Sequence, residues 1–370
     1  MKKITLITLG QTGAGPVYSL EMAKALALSG KCKLQVIVSE GVTNIEAWKT
    51  AFEGTDVQLS IVKAYRHTKL SVFVQFFNFH RKAHIVKLIK RFHPDVLYVP
   101  FGLMWARFIY AFIPRKVVII NTIHDVESHD RFNLAEVVSG LLTIGSNRFV
   151  DGYVILNEKD RPTVERKYQK PVAVIPHASF SYYFKNTEAS SPALRYRIGF
   201  FGRIEPYKGL DLLVDAFERS QTKGLQLLIA GSGSIESSLL EKINGNKDIE
   251  LINRYIDDDE FQPLLDSVDF VVLPYKRASQ SGVIPMCFAY GKTVIATNVG
   301  ALAEQVPEGT GILTSPDAES IRIQIDYLYD NTELISEYGR KAKSFAEKEL
   351  SWDTSAALLL NFTEELESQR

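Results

Sequence analysis

Short, unbroken apolar runs alternate along this chain with stretches in which apolar residues recur every three or four positions. In the first half the runs are Lys3–Leu9, Lys33–Val38, Val96–Val99, Val117–Asn121 and Gly152–Leu156, with helical spacing over Val17–Ser29. A small, polar stretch at Asn186–Pro192 reads as a linker. The alternation then restarts, with strands Tyr196–Phe201, Leu225–Ala230, Ile249–Leu251 and Phe270–Leu273 separated by helices Leu210–Arg219, Ile235–Ile243 and Glu260–Ser267. Runs that are apolar at every position predict strands covered on both faces, as in a parallel sheet flanked by helices. The pattern therefore predicts an α/β protein of two doubly wound domains, 1–185 and 193–349, facing a central cleft at the carboxyl ends of their strands. Helical patterns continue over Ile321–Glu349 and Trp352–Glu367. The last segment, about 350–370, is expected to cross back and rest on the first domain.

Composition narrows the class. At 370 residues the chain exceeds what one core usually supports, and its 46% hydrophobic and 23% charged residues are ordinary for a globular protein. Cys32 and Cys287 are its only cysteines, which excludes a disulfide scaffold, and no paired Cys/His spacing suggests structural zinc. The run after Met1-Lys2-Lys3 stops at Gly10 after six residues, short of the roughly 7–15 of a signal sequence. Val96–Ile113 is interrupted by Pro100 and Arg107, short of the roughly 20 clean residues of a membrane span. A cytoplasmic protein without a transmembrane helix is the expectation. The formal charge of zero conceals an asymmetry: residues 1–190 hold 25 basic and 15 acidic side chains, against 18 and 28 in the remainder. A basic first half suits an anionic partner.

Candidate chemistry gathers where strands give way to helices. Gly10, Gly13 and Gly15 follow the first strand, but without the G-x-G-x-x-G spacing of a dinucleotide fingerprint; they make a tight turn, or one that lets backbone approach an anion. In the second half Gly202-Arg203 and Lys208-Gly209 place two cations between a strand and a helix, where a diphosphate would be held by a fork and a point charge. Gly231 marks the next strand end, and Asn253-Arg254-Tyr255-Ile256 the one after. Ser279–Val283 precedes a helix whose N-terminus attracts anions. Asp257-Asp258-Asp259 reads as a helix cap, not a metal site. His177 reads as structural. Tyr65–His93 contains Arg66, Lys69, Arg81, Lys82, Lys87, Lys90 and Arg91, interleaved with Phe73, Phe76, Phe77, Phe79 and Phe92 and with no acidic residue. That stretch suits a helix lying on an anionic bilayer better than a nucleic-acid surface.

Residues 200–217 (FFGRIEPYKGLDLLVDAF), 228–234 (LIAGSGS), 252–275 and 279–306 together resemble the retaining family-4 glycosyltransferases of the GT-B fold. The likeness is denser over 196–315, looser at the first glycine loop and at Asn121-Thr-Ile-His124-Asp125, and returns at Ser351-Trp352-Asp353. It implies two Rossmann-like domains, with Arg203 and Lys208 on the donor diphosphate and Gly202 and Gly231 on the same rim. Arg254, Tyr255 and Ile256 would border the base, and Gly13 and Gly15 would approach from the first domain. His124 would stand beside the donor sugar. The family's pair of glutamates is replaced here by Ala278 and Met286, which shifts sugar recognition to Gln280, Ser281, Gly282 and Val283. The implied reaction is retaining transfer from a nucleotide diphosphate sugar, UDP-linked in preference to GDP-mannose. The acceptor would be lipid-linked or a saccharide, in surface polysaccharide or lipopolysaccharide synthesis, with the enzyme peripheral on the inner face of the cell membrane. No cofactor and no essential metal are expected, and no nucleic-acid partner. The alternative is a catalytically inactive nucleotide-sugar-binding or scaffold subunit.

Overall fold

The computed structural model describes residues 1–64, 78–124, 126, 145–179 and 194–370. The expected linker Asn186–Pro192, together with Asp125 and the first part of the basic-aromatic stretch (Tyr65 to Phe77), lies outside the described residues. The chain divides into two units: Met1–Pro176 with Trp352–Arg370, and His177–Ser351.

In the first unit seven strands are described: β1 Lys2–Thr8, β2 Cys32–Ser39, β3 Gln58–Val62, β4 Val96–Val99, β5 Val118–Ile123, β6 Gly152–Ile155 and β7 Val172–Val174. All pairings are parallel, in the order β3-β2-β1-β4-β5-β6-β7. The central strands match the apolar runs because both faces are covered, as the burial of Ile4, Leu6, Ile7, Val36 and Ile37 records. The two edge strands β3 and β7 escaped the pattern for the converse reason. β3 is mostly exposed or half-buried and β7 is three residues long, so neither needs a continuous apolar run. Strand order reverses between β1 and β4, which puts the loops after those strands at the unit's ligand-binding edge. Helix α1 (Ala14–Leu28) leaves the β1 loop, and α2 (Ile45–Phe52), α3 (Phe79–Phe92), α4 (Ala106–Ala111) and α5 (Arg161–Tyr168) follow.

The second unit repeats the plan with β8 Arg197–Phe201, β9 Gln226–Gly231, β10 Ile249–Asn253, β11 Phe270–Leu273, β12 Val294–Thr297 and β13 Gly311–Thr314. Their order is β10-β9-β8-β11-β12-β13, again all parallel. The reversal falls between β8 and β11. Helices α6 (Leu210–Arg219), α7 (Ser237–Gly245), α8 (Asp258–Asp266), α9 (Val283–Ala289), α10 (Leu302–Gln305), α11 (Ala318–Asp330) and α12 (Thr332–Glu349) complete it. Asp257 caps α8 in a reciprocal box with Glu260, so the start of the acidic cluster serves the helix as expected.

The last helix, α13 (Trp352–Ser368), belongs to the first unit, where it packs on α1. Gly152 makes room for it: a Cβ there would stand 2.7 Å from the Phe362 ring and 2.8 Å from a Leu366 methyl. Lys2 pairs with Glu367 at 3.1 Å and Arg370 with Asp151 at 2.7 Å. Among the described residues no helix is long and apolar enough to cross a membrane.

His177, the first residue of the second unit, is buried, and its Nδ1–H donates to the Ala178 carbonyl at 3.0 Å. Burial pushes its pKa down to about 4. The unfolded chain therefore binds a proton between the ordinary histidine value and pH 4 that the folded chain refuses, and stability falls as pH drops through that window. Urea unfolding at pH 7 and pH 5 is expected to show wild type losing about 2 kcal/mol more than His177→Gln across the interval. Parallel losses would contradict a neutral, buried imidazole.

Candidate functional site

The carboxyl edge of the second sheet is built on glycine. Beyond β8 and β9 the chains stay zipped together: Gly202 N–H donates to the Ala230 carbonyl at 3.0 Å and Ile204 N–H to that of Ser232 at 2.9 Å. This closeness leaves no space for side chains. A Cβ on Gly231 (φ +153°) would lie 1.8 Å from the Gly202 carbonyl oxygen, and one on Gly233 2.0 Å from that of Ile204. Asn253 extends the zipper, its amide exchanging two 3.1 Å bonds with the Gly233 backbone. That side chain is thereby committed to holding the loop.

The turn Pro206–Lys208 then carries Lys208 back over the edge. Its ammonium donates to the Tyr275 hydroxyl at 3.2 Å and lies 3.2 Å from where a Cβ on Gly202 would stand. Arg203 projects into solvent, 73% exposed, with Glu205 at 3.7 Å, an ion pair weak enough to yield to an anionic ligand. Tyr207, beside both cations, still has its hydroxyl pKa raised, because burial outweighs their pull.

The Ser279–Val283 segment faces Lys208 through Tyr275. The Tyr275 hydroxyl is 3.2 Å from Ser281 Oγ, which also accepts the Val283 N–H at 3.3 Å. Gln305 holds the Ser281 peptide at both ends, accepting its N–H at 2.7 Å and donating to its carbonyl at 3.0 Å. The Val283 N–H is thus engaged within the loop, and the Ser281 N–H by Gln305 of α10. Gly282 is the residue preceding α9. Ala278 is buried against the Gly300 turn and Met286 packs on the core.

The presumed base-side residues are dispersed. Arg254 is tied in a fork to Glu260 at 2.7 and 2.6 Å, and this bond holds the Glu260 carboxyl down at about 2. Tyr255 is 67% exposed, while Ile256 leans on the core.

In the first unit Gly13 (φ +79°) precedes α1, and Gly15 lies under the Phe101 ring, which a Cβ would approach to 2.9 Å. Phe101 also touches His124, ring centroids 4.3 Å apart, and His124 meets Tyr18 edge-on at 4.7 Å. His124 Nε2–H donates to the Pro100 carbonyl at 2.8 Å, which fixes the ring's orientation. Gly13, Gly15 and His124 therefore share the edge where the first sheet reverses.

Helix α3 corrects one assignment. Arg81, Lys87, Lys90 and Arg91 are exposed, but Lys82 is buried, 6% exposed, its ammonium 5.4 to 5.6 Å from the ring centroids of Phe79, Trp105 and Phe108. It lies on the same face as Ile85 and Ile89, so helical periodicity turns it inward. Sequence reading also missed Tyr275 and Gln305. Tyr275 had a signal, its position just past β11 at the reversal point; Gln305 had none, since it reaches the loop from a separate helix.

Residues 195–331 match the family model described as glycosyl transferases group 1. An uncharacterized glycosyltransferase of Methanocaldococcus jannaschii is 30% identical over 176 residues, 46% of this chain and 49% of that protein. A GDP-mannose:glycolipid 4-beta-D-mannosyltransferase of Xanthomonas campestris pv. campestris is 28% identical over 145 residues, 36% and 40% of the two chains. The chain spans at most about half the length of these curated relatives. Among solved structures, the sucrose-phosphate synthase of Thermosynechococcus elongatus superposes with a TM-score of 0.74 at 16% identity, covering 100% of both chains. HepE of Anabaena, solved with UDP, gives 0.70 at 18% identity, covering 99% and 100%. The fold is thus that of the GT-B proteins, and the stretch that matches the family model lies within the second unit.

Because the Gly231 Cβ would collide with backbone, Gly231→Ala is expected to destabilise the protein by about 3 kcal/mol or more. Gly245→Ala, where nothing lies within 4 Å, serves as the neutral control. Equal melting temperatures for the two variants would refute the close-approach account.

Proposed function

We propose that this chain, with a stretch of its second unit matching the group 1 glycosyltransferases and the GT-B fold along its length, is a glycosyltransferase that moves a sugar from a nucleotide diphosphate to an acceptor hydroxyl with retention of configuration. The observation carrying this reading is the site at the β8/β11 reversal: backbone pared to glycine at Gly202 and Gly231, with Lys208 and Arg203 set against it. In the reaction the bond between the sugar's anomeric carbon and the diphosphate oxygen breaks, and the acceptor oxygen bonds to the same face as its O–H proton passes to the leaving diphosphate. Negative charge grows on the leaving diphosphate as the sugar becomes oxocarbenium-like. Lys208, prepositioned by Tyr275, and the Arg203 fork stabilise that charge without reorganising solvent. His124 and the Gly13 turn, at the reversal edge of the first sheet, are that unit's own candidates for a sugar contact. A UDP-sugar is preferred to GDP-mannose as donor, and a lipid-linked or saccharide acceptor in surface polysaccharide or lipopolysaccharide synthesis completes the reaction. The HepE structure with UDP and the mannosyltransferase relative support a nucleotide-sugar donor.

The test is calorimetric titration with UDP, GDP and ADP, followed by transfer assays with the matching sugar conjugates in EDTA. One nucleotide should bind best, and Arg203→Ala and Lys208→Ala should each weaken it by about 1.5–3 kcal/mol, roughly 10- to 100-fold. Turnover should survive the chelator, since the two cations carry the diphosphate charge. Binding without turnover on any acceptor would favour the inactive-subunit reading, and no binding at all would refute the donor site.

We further propose that the first unit meets an anionic bilayer, on the inner face of the cell membrane. Arg81, Lys87, Lys90 and Arg91 supply charge from α3, and the same unit exposes two aromatics: Phe79 is 54% and Phe112 51% exposed. Phe79, Met104, Phe108 and Phe112 border a cavity of about 330 Å³ rimmed by Arg107 and Arg148. Aromatic side chains beside cations match the interfacial region of an anionic membrane. Sedimentation with phosphatidylcholine vesicles, with and without phosphatidylglycerol, should show binding to the anionic set only. Phe79→Ser with Phe112→Ser, or Lys87, Lys90 and Arg91 all changed to Ala, should abolish it; undiminished binding by both variants would refute this surface.

A further inference from the structure

The donor site as proposed has cations and glycine turns, but positions 278 and 286 point apolar side chains into the core, so something else must hold the loop between them. Gln305 does so by geometry. Its single side-chain amide brackets Ser281, accepting from its N–H at 2.7 Å and donating to its carbonyl at 3.0 Å, so neither peptide unit flanking Ser281 can flip without losing a bond.

From Ser281 the order passes to the cation. An ammonium only donates, so the Tyr275 oxygen accepts from Lys208 at 3.2 Å. The buried Tyr275 hydroxyl also lies 3.2 Å from Ser281 Oγ, a hydrogen bond in which either oxygen can donate. Ser281 Oγ also accepts the Val283 N–H at 3.3 Å.

We propose that Tyr275 and Gln305 are positioning residues for the donor diphosphate: Gln305 fixes Ser281, and Tyr275 transmits that position to the Lys208 ammonium. The inference rests on the reading of Lys208 as a phosphate-binding cation. Neither residue touches the ligand. Each acts through a group that does, so removing either relaxes Lys208 or Ser281 instead of deleting a contact.

The experiment is a mutant cycle on the full chain, using as probe whichever of UDP, GDP and ADP binds wild type most tightly. Lys208→Ala should weaken binding roughly 10- to 100-fold. Tyr275→Phe, which keeps the ring, and Gln305→Met, which keeps the volume, should each weaken it about 3- to 10-fold. The decisive readout is non-additivity: Tyr275→Phe in the Lys208→Ala background should cost nothing further, because the residue acts through Lys208. A merely structural role would give additive losses and a lowered melting temperature. Wild-type affinity in Tyr275→Phe and Gln305→Met beside an impaired Lys208→Ala overturns the positioning role alone; wild-type affinity in Lys208→Ala overturns it together with the donor-site reading. Should Gln305→Met fail to fold, the Tyr275/Lys208 cycle decides by itself.

Discussion

The close approach of two backbones beyond the ends of β8 and β9 is the constraint on which the second unit's site depends. Parallel strands normally part where their helices begin. Here hydrogen bonds from Gly202 and Ile204 keep the loops paired for several more residues, and the Asn253 side chain adds one further rung. The cost is that no side chain fits between them, hence glycine at 231 and 233. The gain is a rigid ledge of peptide groups at the point where strand order reverses and the loops after β8 and β11 turn apart.

On that ledge the two cations occupy different environments. Lys208 is half-buried and held by a phenol, so its position is set before any ligand arrives. Arg203 extends into solvent, with only a loose carboxylate neighbour. A preorganised charge and an adaptable one together suit a leaving group whose charge grows during reaction, because the first needs no reorientation and the second can follow the moving oxygens.

The first unit shows a comparable economy. His124 lies between Phe101 and Tyr18, and Tyr18 in turn meets Trp352, ring centroids 5.1 Å apart, at the start of the last helix. A helix more than two hundred residues away in sequence therefore braces the histidine through one buried tyrosine. The same helix closes over β6 through the space that Gly152 leaves. Its return to the first unit is thus part of how that unit's reversal edge is held.

The residue pattern alone determined the two-fold α/β plan, the central strands other than the buried β12, and the location of the glycine turns. Each is a local consequence of burial on both faces or of backbone that must pass close to other backbone. It could not mark β3 and β7, whose partly exposed edges carry no continuous apolar run. The spacing of Lys82 with Ile85 and Ile89 already turns it inward, but only the tertiary structure decides that its ammonium meets the rings of Phe79, Trp105 and Phe108. Gln305 is the clearest case of what tertiary structure decided. A glutamine on a short helix carries no signal by itself. It becomes part of the site because the sheet brings it within hydrogen-bond reach of a peptide 24 residues earlier, and such bonds depend on distances that sequence spacing does not encode.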